Sequence, residues 1–206
     1  GAIWSAGTVH VDNAWFDSNN RTYRNDNLDY GGAAIYSEGT LNVDKSRFTN
    51  DLTSYIVRTG DDKDPQLIDA VILCGKGSAV VNNSYFENNS GTYGGAIAGV
   101  PVPSSAAVSL TVENSEFVNN LAYCGAAIYV GSGSVEFLIK NCTFIGNNAT
   151  GIGSKGYTSA GGAICVARGA HGDIKDSKFI NNTATVGGAI DMSATRNPEQ
   201  VIVVID

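Results

Sequence analysis

Val112-Glu113-Asn114-Ser115-Glu116-Phe117-Val118-Asn119-Asn120 decides the fold, because its frame recurs along the chain. Phe16, Phe48, Phe86, Phe117, Phe144 and Phe179 each take the aromatic place. Three residues on stand Asn19, Asp51, Asn89, Asn120, Asn147 and Asn182, so five copies read Phe-x-x-Asn and one carries Asp. Five residues before each Phe is an aliphatic: Val11, Val43, Val81, Val112, Ile139 or Ile174. Two before it come Ala14, Ser46, Ser84, Ser115, Cys142 and Ser177. Three before it, at an expected bend, come Asn13, Lys45, Asn83, Asn114, Asn141 and Asp176. Six in-phase copies of such a pattern mark an internal repeat.

A second box lies between these frames. It reads Gly94-Gly95-Ala96-Ile97, Gly161-Gly162-Ala163-Ile164 and Gly187-Gly188-Ala189-Ile190. Gly31-Gly32-Ala33-Ala34-Ile35 and Cys124-Gly125-Ala126-Ala127-Ile128 read as versions with one extra Ala, and Asp69-Ala70-Val71-Ile72 as a decayed one. The shortest steps, Ile35 to Phe48 and Phe86 to Ile97, set a minimal unit of about 24 residues. That length suits three short strands and three turns. One such unit cannot bury its own Val, Ile and Phe, so copies must stack, each strand pairing in parallel with its equivalent. Stacking sets equivalent residues ~4.8 Å apart, so Phe and Val/Ile become internal ladders and Asn ladders at a turn. The Gly-Gly pair supplies a corner open to positive φ and close backbone approach. The small residue before each Phe leaves room beside its ring. The expected fold is therefore all-β, a right-handed parallel β-helix (solenoid) of about six to seven coils. Leucine-rich and helical repeats are excluded by the spacing, and an immunoglobulin-like sandwich offers no reason for repeated boxes.

Composition agrees. In 206 residues, charged side chains are only 16%, Gly numbers 25 and Pro 4. A net charge of −7 argues against nucleic acid, which demands basic stripes. No apolar run approaches the ~20 residues of a membrane-spanning helix, so direct membrane insertion by this segment is not expected. The opening Gly1-Ala2-Ile3 and the closing strand-like Val201–Ile205 read as a fragment of a longer chain, with further coils or subunits at both open ends.

Repeated Gly-Gly-Ala-Ile and Phe-x-x-Asn resemble the passengers of chlamydial polymorphic membrane proteins, a family of autotransporter adhesins. The same boxes with Asn-Ser-x-Phe-x-Asn-Asn are similar to adhesin-like surface proteins of methanogenic archaea. The resemblance covers nearly the whole chain. It implies a pectin-lyase-like β-helix displayed outside the cell, and it names no ligand because the shared residues are scaffold.

One domain, 1–206, is expected, with insertion loops near 20–30, 52–67, 99–107 and 149–160. Such insertions commonly form a solenoid's binding surface. Candidate binding residues there are Tyr55, Arg58, Asp61, Asp62, Asp64 and Tyr157. The acid cluster around Asp61 matches no calcium loop and includes Lys63, so a solvated turn is expected and no metal. The position after each box Ile holds Trp4, Tyr36, Leu73, Ala98, Tyr129, Cys165 and Asp191. It is an outward row whose Trp4, Tyr36 and Tyr129 could stack on sugar or protein. Structural roles fall to Asn19, Asn89, Asn120, Asn147 and Asn182, and to Gly94, Gly95, Gly161, Gly162, Gly187 and Gly188. Asp12 and Asp44 are a carboxylate pair one coil apart, and His171 sits beside Arg168 and Asp173, but such groups arise readily on a polar strand face. No catalytic residue and no cofactor are expected. Cys74, Cys124, Cys142 and Cys165 lack metal spacing and permit three disulfide pairings.

The expected function is a non-enzymatic, extracellular cell-surface stalk, adhesin-like or structural, binding a host or neighbouring-cell protein or glycan through projecting loops. The alternatives are a polysaccharide lyase, a glycosidase or a carbohydrate-binding module on the same scaffold, or a purely structural filament or surface-layer subunit.

Overall fold

The computed structural model describes residues 1–22, 30–54, 68–150, 159–192 and 203–205. Among these residues there is no helix, and the strands form long parallel sheets. One seven-stranded sheet runs Ile3–Ser5, Tyr30–Ser37, Ile68–Cys74, Ile97–Gly99, Ile128–Val130, Ile164–Val166 and Ile190–Asp191. A second runs Thr8–Asp12, Thr40–Asp44, Gly77–Asn82, Ala107–Glu113, Ser134–Lys140, His171–Lys175 and Val203–Ile205. The third has six strands, Trp15–Asp17, Arg47–Thr49, Tyr85–Glu87, Glu116–Val118, Thr143–Ile145 and Lys178–Ile180. In each sheet, neighbours come from successive passes of the chain through the same repeat.

The register aligns like residues. Phe16, Phe48, Phe86, Phe117, Phe144 and Phe179 pair in sequence, their rings stacked 4.8 to 5.0 Å apart and within 8° of parallel. The row Val11, Val43, Val81, Val112, Ile139 and Ile174 pairs likewise in the second sheet. With the box Ile residues these rows form one continuous core, in which Phe48, Phe86, Phe117 and Phe144 are wholly buried. Strand spacing sets the ring spacing, so a ladder of one residue type fills each sheet face without a gap.

Two bends explain the polar part of the repeat. Asn13, Lys45, Asn83, Asn114, Asn141 and Asp176 all have φ between 47° and 51°. So do Ser18, Asn50, Asn88, Asn119 and Asn181 near 55°, with Gly146 at 62° in the same place. Asn tolerates this left-handed conformation better than most residues, which accounts for its abundance. The residue two before Phe does more than leave room. Ser46 Oγ accepts from Ala14 N at 3.1 Å, Ser84 Oγ from Ser46 N, Ser115 Oγ from Ser84 N and Ser177 Oγ from Cys142 N. Each of these four hydroxyls also donates to the carbonyl two residues earlier. Cys142 keeps that second contact through Sγ.

The box behaves as a corner. Gly94, Gly125, Gly161 and Gly187 all have positive φ, and a Cβ on Gly94 would collide with the Ile97 carbonyl. One sequence reading changes here. Tyr93 pairs with Cys124 and Ile97 with Ile128, so Gly125-Ala126-Ala127-Ile128 has the ordinary box length, with Ala126 in the second Gly's place. Gly31–Ile35 does carry the extra residue, as a register shift between Gly32 and Ile35.

Candidate functional site

The inner faces are filled by the ladders, so chemistry belongs to the outer faces and the loops. Tyr55, Arg58, Asp61, Asp62, Asp64 and Tyr157 lie outside the described residues. The insertion near 99–107 is described. Val100 and Val102 bond back to the carbonyls of Cys74 and Gly75, and Pro103, Ser104 and Ser105 form an exposed tip.

The row after the box Ile aligns in the expected order, from Trp4 through Tyr36, Leu73, Ala98, Tyr129 and Cys165 to Asp191. It does not form one open aromatic strip. Trp4 is 66% exposed, but Leu73, Ala98 and Cys165 are buried. Ala70, Leu73, Ala98 and Val100 make a small second core outside the sheet, flanked by Tyr30, Tyr36, Ile68 and Tyr129. Tyr129 packs against Tyr93 with ring centres 5.0 Å apart and planes tilted by 53°, and burial pushes its phenol up. Tyr36 donates to Glu38 Oε1 at 2.6 Å. Both tyrosines serve this packing.

A more accessible aromatic site stands on the third sheet, in the position just before each ladder Phe. There Trp15, Arg47, Tyr85, Glu116, Thr143 and Lys178 align across the strands. Trp15 is 70% exposed, yet its indole is tethered, with Nε1 donating to Thr49 Oγ1 at 2.9 Å. Thr49 Oγ1 in turn donates to Asp17 Oδ1 at 2.6 Å, and Asn50 Nδ2 donates to the same oxygen at 2.9 Å. These bonds hold the Asp17 carboxyl below its usual range. Beside the indole, the Arg47 guanidinium lies 5.0 Å from the centre of the Tyr85 ring. A fixed aromatic plane edged by a carboxylate and an amide suits a polyhydroxylated ring. The repeat pattern does not mark this row, because its residues differ from pass to pass. Listing the residue before each Phe would have found Trp15, Arg47 and Tyr85.

The groups weighed for acid–base chemistry are tied up or shallow. Asp12 and Asp44 pair across neighbouring strands of the second sheet. Asp44 accepts from Asn83 Nδ2 at 2.8 Å and faces Lys45 Nζ at 3.1 Å, and these two partners lower its pKa, the reverse of what a general acid needs. His171 pairs with Glu136 at a shallow hollow that Gly133, Ser134 and Gly169 help to line. Asp173 is ion-paired with Lys175 at 2.8 Å. Among the described residues no group of three or more His, Cys, Asp or Glu is placed to hold a metal.

Two buried polar features depend on the tertiary structure. Arg21 reaches across Gly31 to form an ion pair with Asp69, the residue that replaces the first Gly of the decayed box. Asp51 stands in the buried Asn ladder, and its Oδ2 has no hydrogen-bond partner.

No family model matches this chain. No solved structure matches it. It is similar to metabotropic glutamate receptor-like protein R of Dictyostelium discoideum, 34% identical over 148 residues that make up 71% of this chain and 8% of that protein. The matched stretch thus spans less than a tenth of that relative's length.

Proposed function

We propose that the chain is a segment of a right-handed parallel β-helix of about six to seven coils, displayed outside the cell as a non-enzymatic, adhesin-like stalk. Its ligand is a glycan of a host or neighbouring-cell surface, met by an outer face of the stalk. The observation that carries this reading is Trp15, whose indole edge is fixed by Thr49 while its ring remains open to solvent. Immobilising an aromatic before binding reduces the entropy lost when a sugar stacks on it. The ladders support the stalk reading, since a fold built from stacked repeats lengthens without altering its core. A similar stretch in a receptor-like protein is in keeping with display at a surface.

A panel of acidic and neutral polysaccharides tests this reading by affinity electrophoresis and by assay of new reducing ends and unsaturated sugars. Retardation by at least one polymer, abolished by Trp15→Ala and without product release, is the expected result. Product release that disappears in Asp12→Asn or Asp44→Asn would replace the stalk by a carbohydrate-active enzyme. Binding that Trp15→Ala leaves intact would move the contact to the insertion loops.

A further inference from the structure

The four cysteines are all free and buried, but they fall into two kinds. Cys74 and Cys142 are solitary. Their thiols donate to main-chain carbonyls, Cys74 to Lys76 and Cys142 to Lys140, and burial pushes both up to about 11. Such thiols are poor nucleophiles. Cys124 and Cys165 instead face one another across successive passes on the outer side of the first sheet.

The register accounts for that meeting. Cys124 occupies the place of Tyr93 one pass later, and Cys165 the place of Tyr129. Tyr93 and Tyr129 touch, with ring centres 5.0 Å apart. The same diagonal contact, shifted by one pass, sets the two short side chains together. The backbone is close enough for it, since a Cβ built on Gly125 would lie 3.0 Å from the Cys165 nitrogen. The two thiols interact, which lowers the pKa of Cys124 and raises that of Cys165, and Cys165 Sγ donates to Asp191 Oδ2 at 4.0 Å.

From this geometry we infer that Cys124 and Cys165 are an oxidisable pair that closes to a disulfide linking two passes of the repeat. The other pairings left open by the sequence are disfavoured, because Cys74 and Cys142 occupy inward positions with their thiols bonded to the Lys76 and Lys140 carbonyls.

The reaction requires an oxidant, and a low-molecular-weight disulfide such as oxidised glutathione is sufficient. Cys124 is the attacking group. It is the more exposed of the two, at 8% against 2%, and the interaction with Cys165 lowers its pKa while raising that of Cys165. Its thiolate attacks one sulfur of the oxidant, forming a mixed disulfide and releasing one thiolate. Cys165 Sγ then loses its proton to that thiolate and attacks Cys124 Sγ, which forms the Cys124–Cys165 bond and expels a second thiolate. Two protein thiols are oxidised and one small disulfide is reduced to two thiols. Closing the loop constrains the unfolded chain and adds a covalent link between two passes.

The test treats the folded chain with excess oxidised glutathione, maps peptides by mass spectrometry after alkylation in denaturant, and records Tm. The expected result is a Cys124–Cys165 crosslinked peptide, alkylated Cys74 and Cys142, and a Tm higher by about 5–10 °C that dithiothreitol reverses. Cys124→Ser and Cys165→Ser should each lose the crosslink and the Tm gain, while Cys74→Ser with Cys142→Ser should retain both. Four alkylated cysteines after oxidation, a stable glutathione adduct on Cys124, or a crosslink through Cys74 or Cys142 would each overturn the inference. The wild-type peptide map decides the matter even if a serine variant fails to fold.

Discussion

The row of Phe inside the third sheet and the row after the box Ile outside the first sheet run the same course through the molecule. They obey opposite rules. Inside, each pass repeats Phe, and rings 4.8 to 5.0 Å apart leave no latitude for another shape. Outside, the row Trp4, Tyr36, Leu73, Ala98, Tyr129, Cys165 and Asp191 repeats only Tyr, and never in neighbouring passes. The difference teaches where selection by packing ends. An inner residue must match its neighbours above and below, whereas an outer one answers only to local cover and to any ligand.

The sharpest way to break the comparison is at the centre of the inner row. Phe117→Ala removes a wholly buried ring flanked by Phe86 and Phe144, and should cost about 3–5 kcal/mol in denaturant unfolding. Trp4→Ala, in the outer row, should stay within about 0.5 kcal/mol of wild type. Equal losses at the two sites would void the distinction.

Asn120 tests the polar ladder. Its Nδ2 donates to Phe86 O and Asn147 Oδ1, and its Oδ1 accepts from Asn89 N. Asn120→Ala strands these buried partners and should cost about 2–4 kcal/mol by the same unfolding measurement.

Asp51 refines the rule, because it is the one residue of the ladder that is not Asn. Asn89, Asn120 and Asn147 each place Nδ2 on the carbonyl of the Phe one pass earlier. Asp51 has no amide to offer, and by the same register the acceptor opposite it is the Phe16 carbonyl. Its Oδ1 accepts from Asn19 N and Nδ2, while Oδ2 is buried without a partner. Burial raises the Asp51 pKa against the lowering effect of Asn19, and the Asp17 carboxylate raises it further. The sign follows from linkage. A carboxyl with a raised folded-state pKa keeps its full contribution below the unfolded value of about 3.9 and loses it as pH rises through the folded value. Asp51→Asn should therefore gain about 1–2 kcal/mol at pH 7 by restoring the amide, with the gain shrinking towards pH 3. Unfolding curves at the two pH values check this, and a gain independent of pH would exclude the titration.

Trp15 should give the smallest effect on stability and the largest on binding. Trp15→Ala should change unfolding by about 0.5 kcal/mol or less and remove polysaccharide retardation in the same preparation. Loss of stability comparable with Phe117→Ala would mean that the indole is structural.

The repeat, the parallel stacking and the identity of the inner rows were legible in Phe86, Phe117 and Phe144 with their Asn partners, because stacking makes equivalent positions identical. Asn at the bends was legible as a turn, though its left-handed φ and the bridging role of Ser46, Ser84 and Ser115 were not. Those depend on where the next pass lies. The tethering of Trp15 by Thr49, the ion pair of Arg21 with Asp69 and the meeting of Cys124 with Cys165 were decided by tertiary structure alone. Each joins positions in different passes, and loops of unequal length separate the passes, so sequence distance carries no record of the contact. A sequence can declare a periodic interior because burial imposes the period. Outer-face neighbours arise only when the register brings the passes side by side.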